Sequence, residues 1–289
     1  MATRTEIDKS IPISTTSFTG KSRGGYEIET YKSGIEGGFV RKIDNNGYLT
    51  IPGCAGLVKV VRDLYIAVYP ERARRNPDLT ITRMMRSLSY PRTVLELVKY
   101  QGIPVGYGIF PRLDIDGEPV LYSSRALIAE HEREGLGTHI LERAISFHRR
   151  ATVIGHKQLL EGMLMTQNWQ SIRSLEHLQE RGIVDKIQPI GEPFNEQGKR
   201  MLYGVHSRVF ISSAAIEETG LSIGELREVG VNETVSPPQE GTRAWEIYET
   251  MVNRPPRGLG LNPYAGDVVY VRFTFPRSAA AAIVPTLAA

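Results

Sequence analysis

Apolar positions along the chain recur with a period of two in some stretches and near 3.6 in others, which divides it into strands and amphipathic helices. Residues 26–31, Tyr-Glu-Ile-Glu-Thr-Tyr, alternate as a half-buried strand does. Residues 39–43 and 48–51 flank Asp44, Asn45, Asn46 and Gly47, a hairpin signal, because Asn and Gly accept the positive φ of a tight turn. Leu57, Val60, Val61, Leu64, Tyr65 and Val68 then share one helical face until Pro70 interrupts it. A second, shorter helix is expected over 79–88, ended by Tyr90 and Pro91. Residues 93–100 and 103–110 read as a hairpin across Gln101 and Gly102. A turn at 114–117 leads to a third strand over 120–129, completing a meander.

Ile140, Leu141, Ala144 and Ile145 mark the next helix, residues 158–165 a short strand, and Asn168 the N-cap of a further helix. Residues 201–211 read as the strand that closes the sheet. Beyond 212, Ser222 and Glu225 form a capping box that starts a short helix. Trp245, Tyr248 and Val252 mark another helix, broken at Pro255 and Pro256, and residues 267–275 alternate as a strand. Residues 279–289 are alanine-rich and expected to be disordered. The first 21 residues are rich in Ser, Thr and Ile without clear periodicity and read as an arm, ordered against a partner. The expected division is an arm over 1–21, a central domain over 22–211 and an extension over 212–289.

Composition narrows the classes. Hydrophobic content of 41% and charged content of 23% are ordinary for a soluble globular protein. A net charge of +3 suits an anionic ligand but gives no clear nucleic-acid signal. The densest basic run, Arg72, Arg74 and Arg75, reads as a solvated helix end. The single cysteine, Cys54, excludes an intramolecular disulfide and leaves the cytoplasm as the default location. No CxxC or HExxH spacing occurs, so no metal site is expected, and no apolar run is long enough to span a bilayer. His131 and His139 read as surface positions.

The chemistry centres on Gly135-Leu136-Gly137-Thr138, which lies between the third meander strand and the helix after it. A strand, glycine turn and helix point free backbone N–H groups and the positive end of a helix dipole at an anion. The turn lacks the Gly-Lys-Ser/Thr ending of a P-loop, and Ile140 stands where a dinucleotide fingerprint has its third glycine. The pyrophosphate of coenzyme A remains. At this point the chain resembles the GNAT superfamily of N-acetyltransferases, in which an Arg/Gln-x-x-Gly-x-Gly/Ala loop opens a long helix. Glu132, Arg133, Glu134, Gly135, Leu136 and Gly137 occupy that loop here, and the later Asn-x-x-Ala/Ser motif is matched by Asn168 and Ser171. The resemblance spans roughly residues 93–209.

The resemblance implies an α+β fold: a central, mostly antiparallel sheet, splayed at the cofactor site and flanked by helices, here with a C-terminal extension. It implies acetyl-CoA as cofactor, coenzyme A as co-product, and acetyl transfer to a primary amine. Arg133, Glu134, Gly135, Leu136, Gly137, Thr138, Asn168 and Ser171 would hold the cofactor, with backbone groups of Leu127, Ile128 and Ala129 pairing with its pantetheine arm. Glu96, on an apolar strand, and Ser123 are the candidate catalytic residues, and Arg125 the candidate for a substrate carboxylate. Three positions depart from the family pattern: Glu132 replaces Arg/Gln, Leu121 a glutamate carried by some members, and Leu175 a tyrosine acid. They favour the alternative, a weak or inactive GNAT-fold binding or structural protein in an assembly, with a homo-oligomer formed through the extension.

Overall fold

The computed structural model describes residues 12–34, 36–43, 47–75, 77–132, 134–150, 158–209, 216–222, 237–253, 257–262 and 267–277. In chain order these form β1 (Ser14–Thr19), β2 (Gly25–Lys32), β3 (Val40–Lys42), β4 (Tyr48–Thr50), α1 (Ala55–Val68), α2 (Pro70–Arg75) and α3 (Pro77–Ser89). Then come β5 (Val94–Tyr100), β6 (Ile103–Phe110), β7 (Arg112–Ile115), β8 (Glu118–Leu127), α4 (Leu136–Arg150), β9 (Glu161–Thr166) and α5 (Trp169–Glu180). The last are β10 (Lys186–Ile187), α6 (Glu196–Val209), β11 (Leu221–Ser222), α7 (Arg243–Val252) and β12 (Val268–Thr274). The main sheet runs β1-β2-β5-β6-β8-β9-β12-β10, with β7 on β8 and β11 on β12, while β3 and β4 form a separate hairpin. Among the described residues, only β8 and β9 pair in parallel. The other pairs are antiparallel, so the mixed α+β fold implied by the sequence is the fold adopted.

Side chains alternate across the sheet and build a core on each face. Val94, Val98, Leu121 and Leu164 pack with Ile140, Leu141 and Ala144 of α4 and with Ile172 and Leu175 of α5. On the other face Leu95, Leu97, Tyr107 and Ala126 meet Leu57, Val61 and Leu64 of α1 and Met84 and Leu88 of α3. Farther along that face Val120, Tyr122 and Met163 meet Met201, Leu202 and Val205 of α6. The tight turns follow their residues: Gln101 and Gly102, like Asp116 and Gly117, all have positive φ, as a two-residue hairpin turn with the right twist requires.

Three expectations change. Residues 201–209 belong to helix α6, because Met201, Leu202, Val205 and Val209 are buried at helical spacing. Gly204, which weakens a helix, lies where an added Cβ would stand 2.5 Å from Ile115 Cγ2, and its absence lets α6 settle on β7. The strand beside β9 is instead β12, supplied by the extension, with Thr166 opposite Val269 and Glu161 opposite Thr274. Within the presumed arm, Ser14–Thr19 is β1, paired with β2 from Ser14 opposite Thr30 to Thr19 opposite Gly25. Its alternation is carried by Ser and Thr, which hides it from a hydrophobic pattern. The capping-box helix beginning after Ser222 and the alanine-rich tail lie outside the described residues, as do Arg133 and the tip of the β3–β4 turn. Among the described residues, no helix is long and apolar enough to cross a membrane.

Candidate functional site

Strand β8 has one edge paired along most of its length and one paired along less than half of it. Its first edge is covered along most of its length, by β7 from Glu118 to Leu121 and by β6 from Ser124 to Leu127. Its other edge pairs with β9 only from Val120 to Ser123, the last partners being Ser123 and Leu164. Beyond that point β9 continues beside β12, with Met165 opposite Tyr270 and Thr166 opposite Val269. The two parallel strands therefore part, and Ser124–Leu127 keep an edge open to the gap. A cavity of about 380 Å³ occupies the gap and reaches both faces of the sheet. Ser123 stands at the fork, 4% exposed, with no hydrogen-bond partner for its Oγ. An orphaned buried hydroxyl costs free energy unless something supplies a partner.

On the α4 face the cavity ends at the helix mouth. Gly135 has a φ of 88°, which an L side chain adopts only with strain, and it turns the chain into α4. His139 N bonds Gly135 O at 3.1 Å, so the N–H groups of Leu136, Gly137 and Thr138 precede the helix ladder. At Gly137 a Cβ would meet nothing closer than Arg125 Nη1 at 3.6 Å, so the main chain there is open to a close approach. Arg125 reaches from β8 to donate to the Gly137 carbonyl. Burial lowers its pKa to about 10, which still leaves it charged at neutral pH. Lys21, Arg173 and His177 line the same side, and Glu132 is the carboxylate found there. Asn168 caps α5, its Oδ1 accepting from Gln170 N at 2.8 Å and its Nδ2 donating to Gln170 Oε1 at 3.2 Å. The helix dipole and the main-chain N–H groups, with Arg125 and Lys21 beside them, suit this mouth to an anion, while Arg173 is paired with Glu176 and Glu180 at 2.9 Å each.

The cavity brings together Ser123, Arg125, Leu127, Gly135, Leu136, Gly137, Thr138, Asn168 and Ser171 from the sequence-derived candidates. Several others lie elsewhere. Ile128 turns its N–H to Val105 O at 2.9 Å and packs on the α1 side, and Ala129 has left β8 for a 3₁₀ turn. The open backbone edge thus sits at Ser124–Leu127, upstream of the expected Leu127–Ala129. Glu134 does not line the cavity. Its carboxylate accepts from Ser22 N at 2.9 Å, Ser22 Oγ and Arg23 N at 3.3 Å, which hold its pKa below the usual carboxylate range. It clamps the glycine loop to the β1–β2 turn. Arg125 lines the cavity on the α4 side, with its guanidinium bonded to the Gly137 carbonyl. Glu96 is 0% exposed beneath α4, bonded to Thr30 Oγ1 at 3.0 Å and beside Arg143 Nε at 3.4 Å. Burial pushes its pKa up to about 7 despite that arginine, but it does not line the cavity.

The two histidines are not surface residues. His131 is buried, with Nδ1 3.1 Å from Tyr26 Oη, and His139 stacks on Phe18 at 4.7 Å. Leu175, where a phenol stands in the family pattern, is sealed in the core, while its neighbours Ser174 and Arg173 face the cavity. Residues that the sequence reading missed line the far side of the gap: Tyr65 of α1 and Tyr69 at its C-cap, Arg83, Met84 and Ser87 of α3, and Tyr107 of β6. The i, i+4 spacing of Tyr65 with Tyr69 and of Arg83 with Ser87 was visible, but the same spacing marks an ordinary packing face.

No protein-family model matches the chain, and no curated protein matches it in sequence. Several solved structures match in arrangement. The GNAT domain of S. lividans PAT shares 9% identity over 62% of this chain and 91% of that one, with a TM-score of 0.36. An acetyltransferase of the GNAT family from Streptococcus pneumoniae shares 15% identity over 45% of this chain and 85% of that one, with a TM-score of 0.31. PaiA N-acetyltransferase from Thermoplasma acidophilum, in complex with coenzyme A, shares 16% identity over 58% and 93% at a TM-score of 0.32. At these identities and scores activity does not carry across, and the chemistry has to follow from this chain's own groups. Its central elements run as three helices, α1 to α3, then an antiparallel meander, the α4 helix, the parallel strand β9 and the helix α5.

Proposed function

We propose that this chain is an acetyl-CoA-dependent N-acetyltransferase that acts on a primary amine by direct attack on the thioester. The observation that carries this reading is the open β8 edge at Ser124–Leu127, continuous with the free amides at the start of α4. An extended pantetheine arm fits such an edge as an added strand, and a diphosphate fits the helix mouth. Residues Leu136 to Thr138 would hold the diphosphate by main-chain donors, with Arg125 and Lys21 adding charge and Asn168 and Ser171 bordering the arm. Acetyl-CoA would supply the activated acetyl group as its thioester. The chain's task is then to orient it, exclude water and stabilise charge where it develops. Ser123 Oγ, free of other partners at the fork, is the hydroxyl available to donate to that charge.

Titration calorimetry with acetyl-CoA tests the reading. Gly137→Glu places a carboxylate in the mouth, and the backbone there has room for a Cβ. Binding by the parent chain and its loss in the variant, with the melting temperature retained, is the expected result. No detectable heat at millimolar ligand retires the proposal. The burial of Leu175, which leaves no phenol on that turn of α5, favours a second reading in which the same site binds acyl-CoA and turns it over poorly or not at all. A thiol-release assay over an amine panel separates the two.

A further inference from the structure

The loop before α4 rests on a hairpin that lies more than a hundred residues earlier in the chain. Tyr26 of β2 meets His131, its Oη 3.1 Å from Nδ1. Phe18 of β1 stacks on His139 at 4.7 Å between centroids, and its ring lies 3.5 Å from where a Cβ on Gly135 would stand. Between these two contacts the turn from β1 to β2 forms a seat for Glu134. Ser22 N and Arg23 N donate to its Oε2 at 2.9 and 3.3 Å, and Ser22 Oγ donates to Oε1. A Cβ on Gly20 would stand 2.5 Å from Oε2, so the glycine is what lets the carboxylate in. Successive main-chain amides around one anion form a concave site of the kind that holds phosphates. Here the chain's own carboxylate fills it, and Lys21, in the same turn, lines the cavity.

Resting on the acetyl-transfer reading above, we infer that Glu134 is a positioning residue for acetyl-CoA: seated in the β1–β2 turn, it sets Lys21 beside the diphosphate and fixes the main chain at the start of α4. Two opposing effects meet at this residue. As a negative charge near a diphosphate, Glu134 disfavours the coenzyme. As an anchor for the turn and the loop, it favours it. The geometry makes the anchor the larger effect. The carboxylate does not line the cavity, and its charge is stabilised on the side of the turn by the Ser22 and Arg23 donors. Hydrogen bonds to an ionised acceptor are roughly twice as strong as neutral ones. Gly135 follows directly, with a φ of 88°, so a shift at Glu134 passes to the amides of Leu136, Gly137 and Thr138. A lysine on a pinned turn also has less freedom to lose when the ligand arrives. Lys21 belongs to the stretch that the sequence alone sets apart as an arm, and the hairpin lies outside residues 93–209, which carry the family resemblance.

Calorimetric titration of the full chain with acetyl-CoA, at several salt concentrations, compares the parent with Glu134→Gln, Lys21→Gln and the double variant. If charge dominated, Glu134→Gln would bind more tightly, since an anion has left the neighbourhood of a diphosphate. The positioning role has the opposite sign: Glu134→Gln should bind roughly 10-fold more weakly. Lys21→Gln should cost the parent about fivefold and the Glu134→Gln chain less than about twofold, because the lysine is no longer held at the mouth. The affinity of Glu134→Gln should also fall less steeply with salt than the parent's, as one cation fewer faces the diphosphate. A general loosening of the fold would lower affinity and leave the effect of Lys21→Gln in place. Should Glu134→Gln fail to fold, Ser22→Ala, which removes one donor on the exposed turn, decides by the same coupling with Lys21→Gln. Equal or tighter binding by Glu134→Gln, or additive effects of the two substitutions, overturns the inference and leaves acetyl-CoA binding in place. If the parent itself does not bind acetyl-CoA, both fall.

Discussion

At the scale of single residues, the buried Glu96 and Glu134 show how far environment, and not residue type, sets a role. Glu96 sits on an apolar face and so looks like a poised base. Its partners are Thr30 and Arg143, beneath α4, and the gap is elsewhere. Its raised pKa is therefore a stability feature. Because the folded value, about 7, lies above the ordinary glutamate value of 4.5, the uncharged form is the one the fold favours. That favour is fully present below about pH 4.5 and is lost as pH rises through 7. At about 1.4 kcal/mol per tenfold change in proton affinity the difference is roughly 3 kcal/mol. Denaturant unfolding of the parent and of Glu96→Gln should show the parent losing about that much relative to the variant between about pH 4 and pH 8. A pH-independent difference would place the charge elsewhere. The sequence puts Glu96 on a strand and Glu134 in the glycine loop but shows neither one's partner. Their roles depend on Arg143 and Ser22, which lie 47 and 112 residues away along the chain.

At the scale of elements, the meander, the glycine turn and the two helices with buried stripes were legible. Each rests on local signals: turn residues with positive φ, a cap, a period. The helix α6 was not, since residues 201–209 alternate well enough to pass for a strand and Gly204 argues against a helix. What decides is tertiary packing against β7, which no local window contains. Gly204→Ala tests this. Alanine is the better helix former by about 1 kcal/mol. Its Cβ would nevertheless press on Ile115 Cγ2, and overpacking of this kind costs about 1–3 kcal/mol. Thermal melts should show Gly204→Ala below the parent and the double variant with Ile115→Ala better than the sum of the two singles. A gain in stability from Gly204→Ala alone would mean that α6 does not rest on β7 as described. The site was legible in the same uneven way. The α4 side of the gap follows a contiguous motif, whereas the far side is assembled from α1, α3 and β6, whose lining residues are indistinguishable from core until the helices are placed.

At the scale of the whole molecule, charge and opening are arranged across the sheet. Lys21, Arg125 and Arg173 gather on the α4 and α5 side, and Arg83 stands on the α1 and α3 side. A net charge of +3 conceals this division, since composition has no faces. The opening depends on which neighbour β9 keeps. Its last two residues are held by Val269 and Tyr270 of β12, a strand that arrives about a hundred positions later in the chain. The tail end of the polypeptide thus acts as a prop. With it in place β9 is drawn aside; without it, Met165 and Thr166 would be free to zip onto the bare edge of β8, and the passage would shut. Val269→Pro, which removes one ladder donor beside Thr166, should weaken acetyl-CoA binding by about tenfold or more while far-UV circular dichroism changes little. Unaltered affinity would mean that β8 alone keeps the passage ajar.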